Sequence, residues 1–167
     1  RTTTVNTPEL SRLEVNMGSD TTASITIDHD FNLSGATNGS TKALQLDNGK
    51  LILNNSSIDI DLATGGDDYN IPSTAGLVVE SGTINLNGTV DLTLNGLIRL
   101  DGASASLDMS GNENNMIYGT TGKAKLEIFD GSLLVGGQLR RQTTSSSGVL
   151  TYKQTGGSLA VGIDGAS

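Results

Sequence analysis

Apolar and polar residues alternate along this chain in short bursts, and the bursts repeat. "LQLDNGKLIL" (44–53), "LVVESGTINL" (77–86) and "LEIFDGSLLV" (126–135) share one template: apolar, any, apolar, two residues, glycine, one polar residue, apolar, any, apolar. "LTYKQTGGSLAV" (150–161) repeats it with two extra residues before the second glycine. "LEVNMG" (13–18) matches the first half, with "ITIDHDFNL" (25–33) supplying the later apolar positions, and "LIRLDGASASLDM" (97–109) is the most distorted copy. Period-two alternation places successive side chains on opposite faces of a strand. Each half of the template therefore predicts a short strand. Gly49, Gly82, Gly131 and Gly157 fall between strands, as structural corner residues that can take positive φ without a Cβ penalty.

A third alternation follows in "IDIDL" (58–62) and "VDLTL" (90–94), and weakens to "MIY" (116–118) and to Leu139 alone. Copies counted from Leu13, Leu44, Leu77, Leu97, Leu126 and Leu150 lie 20 to 33 residues apart. Three short strands and three corners per copy describe one coil of a parallel β-solenoid, whose corner loops can vary in length without disturbing the stack. The expected fold is all-β, a right-handed parallel β-helix of about six irregular coils. An antiparallel β-sandwich or jelly roll is the alternative, and it is disfavoured because sandwich strands need not repeat one phase. Residues 1–12 read as an N-terminal arm or cap. Residues 13–167 read as solenoid repeats that continue beyond the chain or into a neighbouring subunit. "ATGGDDYNIPSTAG" (63–76) reads as the longest inserted loop.

Composition narrows this picture. Aromatics make up 3 % of the chain and tryptophan is absent, so the core must be thin layers of Leu, Ile, Val and Ala. The net charge of −8 argues against nucleic acid, which needs clustered Lys and Arg, and the only adjacent basic pair is Arg140-Arg141. Without cysteine there is no disulfide framework or thiolate metal site. No apolar run approaches the 18 or so residues of a membrane span.

At "LTYKQTGGSLAVG" (150–162) the sequence resembles the glycine-rich solenoid repeats of bacterial autotransporter passenger domains and related large secreted surface proteins. Gln154, Gly156, Gly157, Leu159, Val161 and Gly162 carry the resemblance, and "FDGSLLVGG" (129–137) is a weaker relative. The resemblance implies an extracellular right-handed β-helix serving as stalk, adhesin or surface coat.

Candidate chemistry is sparse. The single histidine, His29, lies between Asp28 and Asp30, but on a strand the two acids would share a face that His29 does not, so a solvated corner is expected. If "IDIDL" stacks under "VDLTL" in register, Asp59 lies about 4.8 Å from Asp91, and Asp61 faces Thr93. Asp59, Asp61 and Asp91 are therefore the candidate metal ligands, for Ca²⁺ if any; no other cofactor is expected. Outward acids of this kind also build sugar-cleaving sites, but those need a charge-stabilising Arg or Lys and aromatic platforms that this sheet does not offer. "GGDDYN" (65–70) resembles one copy of a calcium-binding nonapeptide repeat, a motif that works only in tandem, and is read as a solvated loop. Asn-x-Ser/Thr sequons occur at Asn32, Asn38, Asn54, Asn55 and Asn87. No Ser-His-Asp arrangement or phosphate loop is present, and no catalytic residue is expected.

These readings converge on a non-catalytic extracellular or cell-surface structural protein: a segment or subunit of a bacterial stalk, coat, adhesin or filament. A carbohydrate-active β-helix enzyme or polysaccharide-binding module is the alternative. Expected partners are further coils of the parent chain or a second copy at the solenoid ends, and surface glycans. Nucleic acid is not expected, nor a membrane span in this segment.

Overall fold

The structure, a computed structural model, describes residues 12–33, 43–62, 68–119, 122–143 and 147–163. Residues 1–11 of the expected 1–12 arm and residues 63–67 of the expected loop lie outside the described residues. Strands follow one another along the chain: β1 (Leu13–Asn16), β2 (Ser24–Ile27), β3 (Asn32–Leu33), β4 (Leu44–Asp61), β5 (Tyr69–Ile71), β6 (Ala75–Asn85), β7 (Leu92–Leu94) and β8 (Leu97–Leu100). Then come β9 (Ala105–Met109), β10 (Met116–Tyr118), β11 (Lys123–Ile128), β12 (Ser132–Val135), β13 (Leu139–Arg141), β14 (Val149–Gln154) and β15 (Ser158–Val161). A 3-10 turn at Gly111–Glu113 is the only helical element among the described residues.

Every strand pairing is parallel, which excludes the antiparallel sandwich. Parallel neighbours joined by whole coils make a β-solenoid of about five turns with three faces. On the first face β2, the middle of β4, the start of β6, β8, β11 and β14 stack in that order. On the second face β3, the end of β4, the end of β6, β9, β12 and β15 do the same. The third face carries β1 on the start of β4, and then a separate sheet in which β5, β7, β10 and β13 stack.

The interior is a set of columns. Leu51, Leu77, Ile98 and Leu126 lie directly over one another on the first face, and Leu33, Ile60, Ile84, Leu107 and Leu133 on the second; all are fully buried. Because strand side chains alternate with period two, a one-residue slip would turn a whole column outward, so apolar columns lock the register. Register partners Ile25, Leu51, Leu77, Ile98, Leu126 and Tyr152 are 26, 26, 21, 28 and 26 residues apart, so the corners absorb all variation in coil length.

Three expectations are corrected. Leu77 stacks on Leu51 rather than on Leu44, because "LQLDNGKLIL" spans the third-to-first corner whereas "LVVESGTINL" spans the first-to-second. "IDIDL" therefore belongs to the second face, while "VDLTL", "MIY" and Leu139 belong to the third. Nor is 63–76 all loop: Tyr69–Ile71 is β5, and Tyr69 is the largest fully buried side chain. Burial and, secondarily, the charge of Asp47 push its phenol well above the usual tyrosine range, so it stays protonated.

At the first-to-second corner Gly82, Gly131 and Gly157 take φ of 109°, 82° and 61°; Gly49, at the other corner, takes 83°. Gly131 is constrained twice: its φ suits only glycine, and a Cβ there would run into the Ala105 carbonyl of the coil below. The paired glycines of "TGGSLAVG" meet the same two demands. Gly156 lets the Phe129 carbonyl approach closely, while Gly157 turns the chain and, like Gly131, also leaves room for a carbonyl of the coil below, that of Gly131. Gly131→Ala is expected to lower stability by about 2–4 kcal/mol, from positive-φ strain plus the clash. A thermal melt followed by circular dichroism checks this, and an unchanged midpoint would contradict the corner assignment.

Candidate functional site

The three candidate acids do not meet. Asp59 pairs with Thr83 and Asp61 with Asn85 on the second face, while Asp91 precedes β7 on the third and Thr93 pairs with Asn70 and Ile117. The phase slip at Gly49 explains the error, since it moved "IDIDL" onto the wrong face. Each acid instead accepts hydrogen bonds from an asparagine further along the chain. Asn85 Nδ2 donates to Asp59 Oδ1 and Asn87 Nδ2 to Asp61 Oδ1, both at 2.8 Å. Asp91 Oδ1 accepts from the Asn115 backbone N–H at 2.8 Å and its Nδ2 at 2.9 Å, and Arg140 lies 3.8 Å from Asp91 Oδ2. Among the described residues no three His, Asp or Glu side chains are grouped so as to hold a metal ion.

Other predicted positions also disperse. Residues 28–31 connect β2 to β3 rather than continue a strand, and His29 is exposed with Nε2 3.5 Å from Asp28 Oδ1. In "GGDDYN", Asp68 accepts a bond from the Asp91 backbone N–H at 3.0 Å, Tyr69 enters the core, and Asn70 accepts from Asn95 Nδ2 at 3.2 Å. Of the sequon asparagines, Asn55 donates to the Asp28 carbonyl at 3.1 Å, Asn87 is bonded as above, and Asn38 lies outside the described residues.

What the corners hold is a set of asparagine bridges between coils. Asn114, 1 % exposed, donates to the Leu86 carbonyl at 3.0 Å and accepts from the Val90 N–H at 2.9 Å. Asn115, besides bonding Asp91 below, accepts from the Gln138 N–H at 2.8 Å in the coil above. These groups satisfy backbone atoms that the ladders leave unpaired at the corners.

The surface feature missed at the sequence level is a cation-rich first face. Its strands carry Lys50, Arg99, Lys123, Lys125 and Lys153 against two carboxylates, Glu127 and, at the bulge before the Gly82 corner, Glu80. Glu127 is matched by Arg99, whose Nη2 and Nε lie 2.6 and 2.8 Å from Oε2. Lys50 and Lys125 share one outward column, in the order Ser24, Lys50, Gly76, Leu97, Lys125, Thr151. The signal was present as the polar half of the strand alternation, but it becomes a column only once the register is known. Lys153 and Arg99 also flank the Phe129 ring, at 4.8 and 5.2 Å from its centroid.

No protein family, curated protein or solved structure matches the chain. No helix among the described residues is long and apolar enough to cross a membrane.

Removing a bridge should cost more than removing a charge. Asn114→Ala leaves a buried carbonyl and a buried N–H unpaired and is expected to destabilise by about 2–4 kcal/mol. Asp59→Asn, which keeps an acceptor for Asn85, is expected to stay within about 0.5 kcal/mol. Chemical denaturation of both variants checks the contrast; equal losses would contradict it.

Proposed function

We propose that the chain is a non-catalytic structural solenoid that works outside the cell, as a segment or subunit of a bacterial surface stalk, coat, adhesin or filament. The observation that carries this reading is the use made of the candidate acids: Asp59, Asp61 and Asp91 are each bonded to an asparagine further along the solenoid, and Asp91 lies on a different face from the other two. A glycosidase places two carboxyl groups about 5–10 Å apart and leaves them free to trade protons with substrate. Asp59 and Asp61 share the outward side of β4, but an asparagine holds each of them. Acids committed one by one to asparagines suit a load-bearing stack.

The two ends support self-association. Among the described residues β13, β14 and β15 each pair with one strand, and the inward columns emerge there, with Tyr152 and Val161 both 43 % exposed, so this edge can take a further coil, from the parent chain or from a second copy. Open parallel edges recruit further strands. The end coils also differ in sign. Residues 12–33 carry Arg12 against Glu14, Asp20, Asp28 and Asp30, whereas residues 136–163 carry Arg140, Arg141 and Lys153 and no acid. Head-to-tail stacking of copies therefore brings opposite charges together, the heterologous contact that grows filaments.

Two measurements test this. Incubation with acidic and neutral polysaccharides is expected to release no product; a hydrolase or lyase activity that disappears in Asp59→Ala or Asp91→Ala would overturn the reading. Sedimentation at micromolar concentration is expected to show concentration-dependent association that weakens with added salt and in an Arg140→Glu/Lys153→Glu variant. A sharp monomer at every concentration would sink the end-to-end part.

A further inference from the structure

The first face presents a groove of about 240 Å³. Lys50, Lys123 and Lys125 line it, with Ser73 and Thr74 along one side and Gly76 in its floor. Gly76 occupies the outward column between Lys50 and Leu97, and a Cβ there would lie 3.3 Å from Lys50 Cγ and 3.2 Å from Leu97 Cβ. Its missing side chain leaves the depression between the lysines open. No described carboxylate lies within ion-pair distance of the three ammonium groups, because Glu127, the one acid lining the groove, is held by Arg99. A face with net charge +3 on its strands thus sits on a chain of −8.

Unpaired ammonium groups beside hydroxyls fit a ligand that carries both carboxylates and hydroxyls. Register places Lys50 and Lys125 three coil spacings apart, about 14 Å at the usual interstrand distance, so one small anion cannot reach both. An extended chain with carboxylates at intervals can. No aromatic ring lines the groove, so nucleic-acid bases have no surface to stack on. The denser charge of a nucleic acid would also meet more repulsion from the rest of the chain. We infer that this groove binds an acidic polysaccharide, with uronate carboxylates on Lys50, Lys123 and Lys125 and sugar hydroxyls on Ser73 and Thr74. The inference goes beyond the structural role proposed above and does not require it, since a monomer carries the whole groove.

The test uses the full chain at low salt and a tetrameric oligogalacturonate, with a neutral oligosaccharide of equal length, inorganic phosphate and a short oligothymidylate as comparators. Binding is followed by amide chemical shifts and titration calorimetry. The tetramer is expected to shift amides around residues 50, 73–76 and 123–125, the neutral chain to shift none, and affinity to fall as salt rises. Lys50→Gln and Lys125→Gln should each weaken binding about fivefold, as for exposed ion pairs, and together about twentyfold or more. Thr93→Ser, on the third face, should leave affinity unchanged. A thermal melt confirms that each variant is folded. No shifts at millimolar tetramer would overturn the inference. Phosphate binding as tightly as the tetramer would reduce the groove to a lone anion site, and tighter oligothymidylate binding would reassign it; either result rejects the polysaccharide.

Discussion

The whole molecule depends on in-register stacking of parallel coils. A single coil holds too few inward aliphatics to offset its own backbone entropy, so each coil is stable only on its neighbours. This makes the columns the unit of structure. Leu33, Ile60, Ile84, Leu107 and Leu133 are separated in sequence by 23 to 27 residues yet lie directly over one another. Coil length can vary only where it does not touch a column, which is why the corners differ and the strands do not. It also explains how a chain with 3 % aromatics has a core: no interior point is far from a column, so side chains of leucine size fill most of it, with Phe31 and Tyr69 the buried aromatics among the described residues.

Stacking identical coils has a cost at the surface, because outward columns bring like residues to about 4.8 Å. Two carboxylates at that distance repel by roughly 1 kcal/mol even in water. The chain avoids the clash by placing Asn85 between Asp61 and Asp108 in one column, while Asn85 and Asn87 reach diagonally to Asp59 and Asp61 and Asn115 bonds Asp91. The substitution turns a repulsion into a charge-assisted hydrogen bond between coils. Asn114 and Asn115 do the related task at a corner, where the backbone leaves the ladder and its polar groups need other partners.

Much of the fold was legible in the sequence because alternation and glycine report directly on strands and corners. The phase of the copies was not, and one residue shows why. Gly49 and Gly82 sit in the same local pattern, strand–glycine–strand, and both take positive φ, yet they turn different corners. Alternation carries no label for the face, so "IDIDL" could not be told from "VDLTL" until pairing was known. The candidate acids inherited that slip. β5 was missed for a different reason: its three residues sit among Gly, Asp, Pro and Ser, and a strand that short has too few alternations to register against turn formers.

Charge makes the same point about location over total. A net charge of −8 suggests a surface that repels anions everywhere. At physiological salt the field of an exposed charge falls off over about 8 Å, less than the separation of about 10 Å between packed sheets. Charges close to a ligand therefore outweigh distant ones, so the first face draws an anion more than the chain's total charge suggests, while a denser anion still meets more of the remaining repulsion. The groove's lysines lie on β4 and β11, inner levels of the stack, whereas the proposed end-to-end contact would use the first and last coils, Lys153 among them. Association and ligand binding do not compete for the same surface. Copies joined head to tail would repeat the groove at fixed intervals along one side, and a long acidic glycan spanning several of them would bind with the effective concentration of a tethered ligand. Weak individual contacts then suffice, which suits a site made of exposed lysines.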